Sequence, residues 1–309
     1  MLARWLRCLT FFNLALTVGW CLWAWPRSPW LALIGVVIGL LSGKVWLGLQ
    51  FLTMVAFKKA KGLACPAPAQ VMHAWSQETR ESARQFMWQM PWAEWAAPDH
   101  VPDSVNGQRG VVLVHGWMCN RAVWTQALEQ LRAQNIPCIA VSLPLLLHRI
   151  ETARPTLDAA LRRMHAATGV APLVMAHSMG GLVVRDWLRS VSADPGDRAH
   201  LPGDVLTIGS PHHGSLLAHC VLGANVEQMR PRSEWLQALE RDEAQPGSAF
   251  SNVRWHCAFA DCDNVVFPES TSQLAGAQPH LIAGYAHVQM LTSPQLWDVA
   301  RALLVRAQR

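Results

Sequence analysis

The chain lacks what a nucleic-acid groove requires. Its formal charge is +5 over 309 residues, and its Lys and Arg are scattered rather than gathered into a run interleaved with aromatics. Nucleic acid is therefore excluded as a partner. Dense cysteine pairing is missing too: the eight cysteines stand irregularly at 8, 21, 65, 119, 138, 220, 257 and 262. This excludes a small disulfide-built scaffold and favours free thiols. Cys257 and Cys262 are the one close pair, and a C-x4-C without a matching second pair does not read as a zinc site. Charge is absent from Cys8 to Pro26 and, after Pro26-Arg27-Ser28-Pro29, absent again to Phe57 apart from Lys44.

Two membrane helices joined by a tight turn fit that uncharged stretch. A span needs about 20 apolar residues, so the first segment is near the minimum and the second runs from about Trp30 to Phe51, with Lys44 snorkelling. The alternatives are a buried helix pair or a cleaved leader, and the leader fits less well, because Trp23-Ala24-Trp25-Pro26 lacks a small-x-small pattern and a second apolar run follows at once. Arg4 and Arg7 precede the first span, Arg27 alone sits in the turn, and Lys58, Lys59 and Lys61 follow the second. The positive-inside rule then puts both ends in the cytoplasm and the hairpin, within residues 8–57, in the inner membrane. A reducing compartment agrees with the irregular cysteines.

Three regions follow: a two-helix anchor at 1–60, a juxtamembrane linker and helix at 61–109, and a catalytic domain at 110–309. The linker opens with Cys65-Pro66-Ala67-Pro68. Its tryptophans at 75, 88, 92 and 95 suit either interfacial anchoring or ordinary packing. From Gly110 short apolar strands alternate with helices, predicting an α/β fold whose mostly parallel sheet carries helices on both faces. The strand candidates are 110–116, 137–144, 171–178, 204–211, 254–261 and 279–287. Helices are expected near 121–134, 155–168, 181–191, 233–243 and 293–307.

Within "VMAHSMGGLVVR" Ser178 stands between a buried strand and a helix, on the kind of sharp turn that holds a hydroxyl clear of its own backbone. The usual signature is G-x-S-x-G, and here Ala176 takes the first place, still small enough for close strand–helix approach. A tetrahedral intermediate needs two preset N–H donors, which Met179 and Trp117 supply from their backbones. His115 reads as a structural residue of the loop after the first strand. In the chain order serine, acid, histidine, His287 at the end of the last strand is the base. Asp261 and Asp263 both qualify as the acid. Asp158 and Asp186 read as solvated helix charges, and His212 and His213 suit either the pocket or a tight turn.

Taken together, "VVLVHG", "AHSMGGLVVR", "IGSPHHGS", "DNVVFP" and "YAHV" resemble the bacterial lipase and esterase branch of the α/β-hydrolase superfamily, over roughly Gly110 to the C-terminus. By that resemblance Ser178 is the nucleophile, Asp263 the acid, His287 the base, and Trp117 and Met179 the oxyanion donors. The expected activity is cleavage of carboxylic, acyl-lipid esters through an acyl-enzyme, with no metal or organic cofactor. The paired spans depart from secreted lipases. The Leu-rich stretches 143–148 and 215–226 read as a lid or as plain core. Two rivals share the sequence: a silent hydrolase fold serving as a membrane accessory, and a thioesterase or amidase using the same residues.

Overall fold

The computed structural model describes residues 1–102, 107–144, 147–191 and 194–306. Two long helices come first, α1 (Leu2–Ala24) and α2 (Pro29–Ala60). Pro29 opens α2 with its φ already preset for a helix. The two fold back on each other, and the Trp20 indole donates to the Leu31 carbonyl at 3.1 Å. Phe11, Phe12, Leu14, Leu22, Trp30, Ile38 and Leu40 face outward. By length and composition both helices suffice to cross a membrane.

At about 1.5 Å per residue the 32 residues of α2 extend about 48 Å, against about 30 Å of bilayer hydrocarbon. The excess is docked. Phe51 and Met54 pack against Cys262, Phe267 and Ala286 far along the chain, which carries the helix past the expected end at Phe51. Lys58, expected as a flanking surface charge, is 1% exposed. Its ammonium donates to the Asp261 carbonyl and the Glu269 carboxylate, both at 2.6 Å. Lys59 and Lys61 remain exposed.

The juxtamembrane helix comes in pieces: α3 (Pro68–Ala83), a π-helical turn at Arg84–Gln89, and α4 (Met90–Trp92). Pro91 has no N–H and its ring pushes away the carbonyl four residues back, which accounts for the widened turn before it. Trp88 and Trp95 stay mostly exposed, while Trp75 donates to the Lys44 carbonyl at 3.1 Å.

A six-stranded, wholly parallel sheet follows: β1 (Val111–Val114), β2 (Cys138–Ala140), β3 (Leu173–His177), β4 (Asp204–Ile208), β5 (Arg254–Phe259) and β6 (Gln278–Leu281), in the order β2-β1-β3-β4-β5-β6. The connecting helices are α5 (Thr125–Ala133), α6 (Arg154–Thr168), α7 (Met179–Ser190), α8 (Pro195–Arg198), α9 (Ala224–Gln228), α10 (Glu234–Glu243) and α11 (Pro294–Arg306). Alternation along the strands splits the core. Val112, Val114, Val174 and Ala176 meet Leu161, Leu182 and Leu239, whereas Val111, Leu113, Leu173 and Met175 meet Leu128, Leu296 and Leu303. The sheet therefore carries helices on both faces. Its strand order reverses between β1 and β3, and in open α/β sheets ligands bind at the carboxyl ends of the strands at such a reversal.

Two expectations are corrected. β6 stops at Leu281 because Gly284 turns the chain at φ +79° and donates its N–H to Asp261 at 2.7 Å, so His287 lies beyond the strand. Being an edge strand, β6 tolerates Pro279. Asp186 is no solvated charge: it is fully buried and bound by Arg154 at 2.6 and 2.8 Å and by Arg189 at 2.7 Å.

Candidate active site

Ser178 sits between β3 and α7 with φ +54° and ψ −129°, a conformation that L-residues avoid and that the surrounding structure must impose. One restraint is its own N–H, which donates to the Ile208 carbonyl at 2.8 Å. The turn leaves the side chain partly accessible while its neighbours are buried. Gly116 makes the approach possible, since a Cβ there would stand 2.6 Å from the Ser178 Cβ. The chain leaving β1 thus crosses directly beside the serine, with Trp117 next in line. Met179 opens α7, so its N–H belongs to the first turn, where helical donors have no partner within the helix.

The Ser178 hydroxyl lies 2.9 Å from Nε2 of His287, and Nδ1 of His287 lies 2.9 and 3.1 Å from the two Asp263 oxygens. An ionised carboxylate only accepts, so Nδ1 carries the proton and Nε2 turns its lone pair to the hydroxyl. Asp263 is fixed in turn, one oxygen accepting from the N–H groups of Val265 and Val266 at 2.8 Å each. Gly209, at φ +56°, leaves room for the pair: a Cβ there would stand 2.9 Å from Asp263 Oδ2 and 3.2 Å from His287 Nδ1.

Burial pulls the His287 imidazole toward the neutral form. The charge and hydrogen bond of Asp263, helped by the charge of Glu78, outweigh that pull and raise its pKa above the ordinary value. The two other histidines here stay neutral. Burial drives His177 well below the ordinary value; its Nε2–H donates to the His287 carbonyl at 3.2 Å. Burial pushes His115 down to about 4. It donates from Nδ1 to the Gly116 carbonyl and accepts the Leu143 N–H at Nε2, both at 2.8 Å, so it ties together the loops after β1 and β2.

The structure brings Ser178, His287 and Asp263 together and leaves Asp261 outside. Asp261 instead pins the turn before His287 through Gly284. His212 is buried against Thr207 at 3.0 Å, and His213 lies at the surface beside Glu240 at 3.1 Å. Of the two lid candidates, 145 and 146 lie outside the described residues, Leu147 is exposed, and Leu143 is buried. Leu216 and Leu217 pack against the Phe51–Phe267 cluster, whereas Leu222 is exposed.

Sequence reasoning missed the residues behind the relay. The side chain of Asn264 accepts the His287 N–H at 3.3 Å and donates to Gln50 of α2 at 2.7 Å. Glu78 of α3 is 1% exposed and accepts from Val288 at 3.0 and 3.1 Å and from Gln289 at 2.8 Å. Burial pushes its pKa up to about 7, against the lowering effect of those two N–H groups. No local signal announces the contacts of Gln50 and Glu78, because their partners lie 210 or more residues away.

Solved structures with the same architecture include the mature Bacillus licheniformis lipase BlEst2. It is 17% identical, with TM-score 0.55 over 67% of this chain and 95% of that one. Another is Aspergillus fumigatus lipase B, 18% identical, with TM-score 0.56 over 69% of this chain and 56% of that one. At such identity the likeness shows the fold alone. No curated protein matches the sequence significantly. Residues 111–307, from the first strand to the end of the last helix, match the alpha/beta hydrolase family, and the chain belongs to it.

Proposed function

We propose that this hydrolase is a membrane-anchored serine esterase acting on acyl esters, with Ser178 as nucleophile, His287 as base and Asp263 as the orienting acid. One observation carries the reading: the continuous hydrogen-bonded relay from Ser178 through His287 to Asp263 on a strained turn. As Ser178 attacks the ester carbonyl, His287 takes the hydroxyl proton and Asp263 stabilises the imidazolium. The N–H groups of Trp117 and Met179 receive the oxyanion. His287 then protonates the departing alkoxide, and a water deprotonated by the same imidazole releases the acyl group. Every step is proton transfer and acyl transfer.

An acyl substrate is favoured by the outward-facing apolar hairpin, whose α2 reaches the loop that bears Asp263. Lys59, Lys61 and Arg4, exposed at the docked ends of the helices, favour the cytoplasmic side of the inner membrane. The test is labelling of the full-length protein with a fluorophosphonate probe, then turnover of esters of graded chain length. We expect labelling that Ser178→Ala abolishes and turnover that rises with chain length. An unlabelled wild type would leave the silent accessory fold; hydrolysis of thioesters or amides in preference to esters would move the activity to that class.

A further inference from the structure

The segment before the sheet holds both loops of the relay. Lys58 donates to the Asp261 carbonyl and to Glu269, and Gln50 accepts from Asn264, so α2 grips the loop that bears Asp263. The second grip is on the histidine loop. Glu78, from α3, reaches the opening N–H groups of the single 3-10 turn Gln289–Thr292, whose N-cap Val288 directly follows His287. A short helical turn leaves its opening N–H groups unpaired, and an anionic oxygen placed there satisfies them and opposes the partial positive charge of the turn. Glu78 does this with both oxygens while 1% exposed.

We infer that Glu78 is a positioning residue of the esterase: by clamping the Val288 and Gln289 N–H groups it sets His287 between Ser178 and Asp263, so that the segment before the sheet completes the active site. This rests on the proposed function. The backbone immediately after His287 is what Glu78 fixes, and a small error in the imidazole position lengthens both of its hydrogen bonds at once. The charge acts as well, because an anion behind the histidine favours the imidazolium that forms on proton transfer. The ionisable groups about this joint are Asp263 from the loop after β5, His287 itself, and His177 from the end of β3, whose ring centroid lies 4.7 Å from that of His287.

The experiment uses the full chain in lipid nanodiscs, with an ester substrate and a fluorophosphonate probe, and with folded protein quantified by circular dichroism and gel filtration. Glu78→Gln keeps the shape and loses the charge. It should lower kcat about 10- to 100-fold with KM nearly unchanged, and shift the acid limb of the kcat/KM profile to lower pH. Glu78→Asp keeps the charge on a shorter stem, so the limb should stay in place while kcat recovers in part. If the Gln variant does not fold, the Asp variant decides: lowered kcat at unchanged KM supports the assignment. A folded Gln variant with wild-type kcat and pH profile overturns it, as does an Asp variant with wild-type kcat when the Gln variant cannot be obtained. If the wild type neither labels nor hydrolyses, the esterase reading fails first, and this proposal falls with it.

Discussion

Asp263 meets His287 with both carboxylate oxygens, whereas Asp261, two residues earlier, turns away to hold the N–H of Gly284. Two carboxylates in one tight turn thus do different work. Asp263 faces the imidazole and Asp261 fastens the backbone that delivers it.

Asp263→Asn should therefore cut kcat by roughly ten-thousand-fold if the site behaves as the serine proteases do, since an amide lets the imidazole take the wrong tautomer. Asp261→Asn should cost less in kcat and show its effect in thermal stability, by about 1 kcal/mol for one weakened hydrogen bond. Steady-state kinetics on both folded variants decide. The opposite ranking would make Asp261 the acid.

Ser178→Ala should abolish covalent labelling and lower ester turnover by several orders of magnitude while leaving the fold intact. Ser178→Gly should be equally inactive and yet more stable than the alanine variant, by about 1 kcal/mol, because glycine accepts φ +54° without strain. Thermal unfolding of the two variants is the measurement. An alanine variant at least as stable would show that the turn holds no strain.

With His287 as the proposed base, its raised pKa should set the acid limb of activity. Only the neutral imidazole accepts the serine proton, so kcat/KM should rise with pH through a midpoint above the ordinary histidine value of about 6.5. Removing the Asp263 charge should move that midpoint down. For stability the sign is opposite: a pKa raised on folding stabilises below the unfolded value, and the contribution is lost as pH climbs through the folded one. A midpoint in Asp263→Asn at or above the wild-type position would contradict this.

Both docked ends of the hairpin lie on the side of the hydrolase fold, so a reporter fused after Arg309 should behave as cytoplasmic in a bacterial host. Strong periplasmic phosphatase activity from that fusion would reverse the orientation. Deleting residues 1–92, by contrast, should yield an inactive, aggregating chain even without a membrane. The deletion bares Cys262, Phe267 and Ala286 and strips Val288 and Gln289 of their acceptor. Soluble, active protein from it would show that α2 and α3 are only a tether.

β1, β2 and β3 were legible because each is a short, buried and mainly apolar run, the pattern a buried parallel sheet demands. Ser178 was legible because its turn needs small residues on fixed sides. The end of β6 was not. "LIAGYAHV" remains apolar past Leu281, and the turn there rests on Gly284, at φ +79° and bonded to Asp261. Glu78 was not singled out and Lys58 was read only as a charge flanking the second span, because nothing nearby in the chain reveals a partner more than two hundred residues away.

The unbroken course of α2, from the outward-facing apolar hairpin to the loop beside Asp263, carries a kinetic consequence. With the hairpin in a bilayer, a rod without a hinge holds the serine at one height and removes a dimension from the search for substrate. Encounters then occur within a sheet of lipid, where a sparse ester is locally concentrated. On the proposed reading of a membrane-anchored esterase, diluting that ester with inert lipid should slow turnover even when the amount per volume of solution is unchanged.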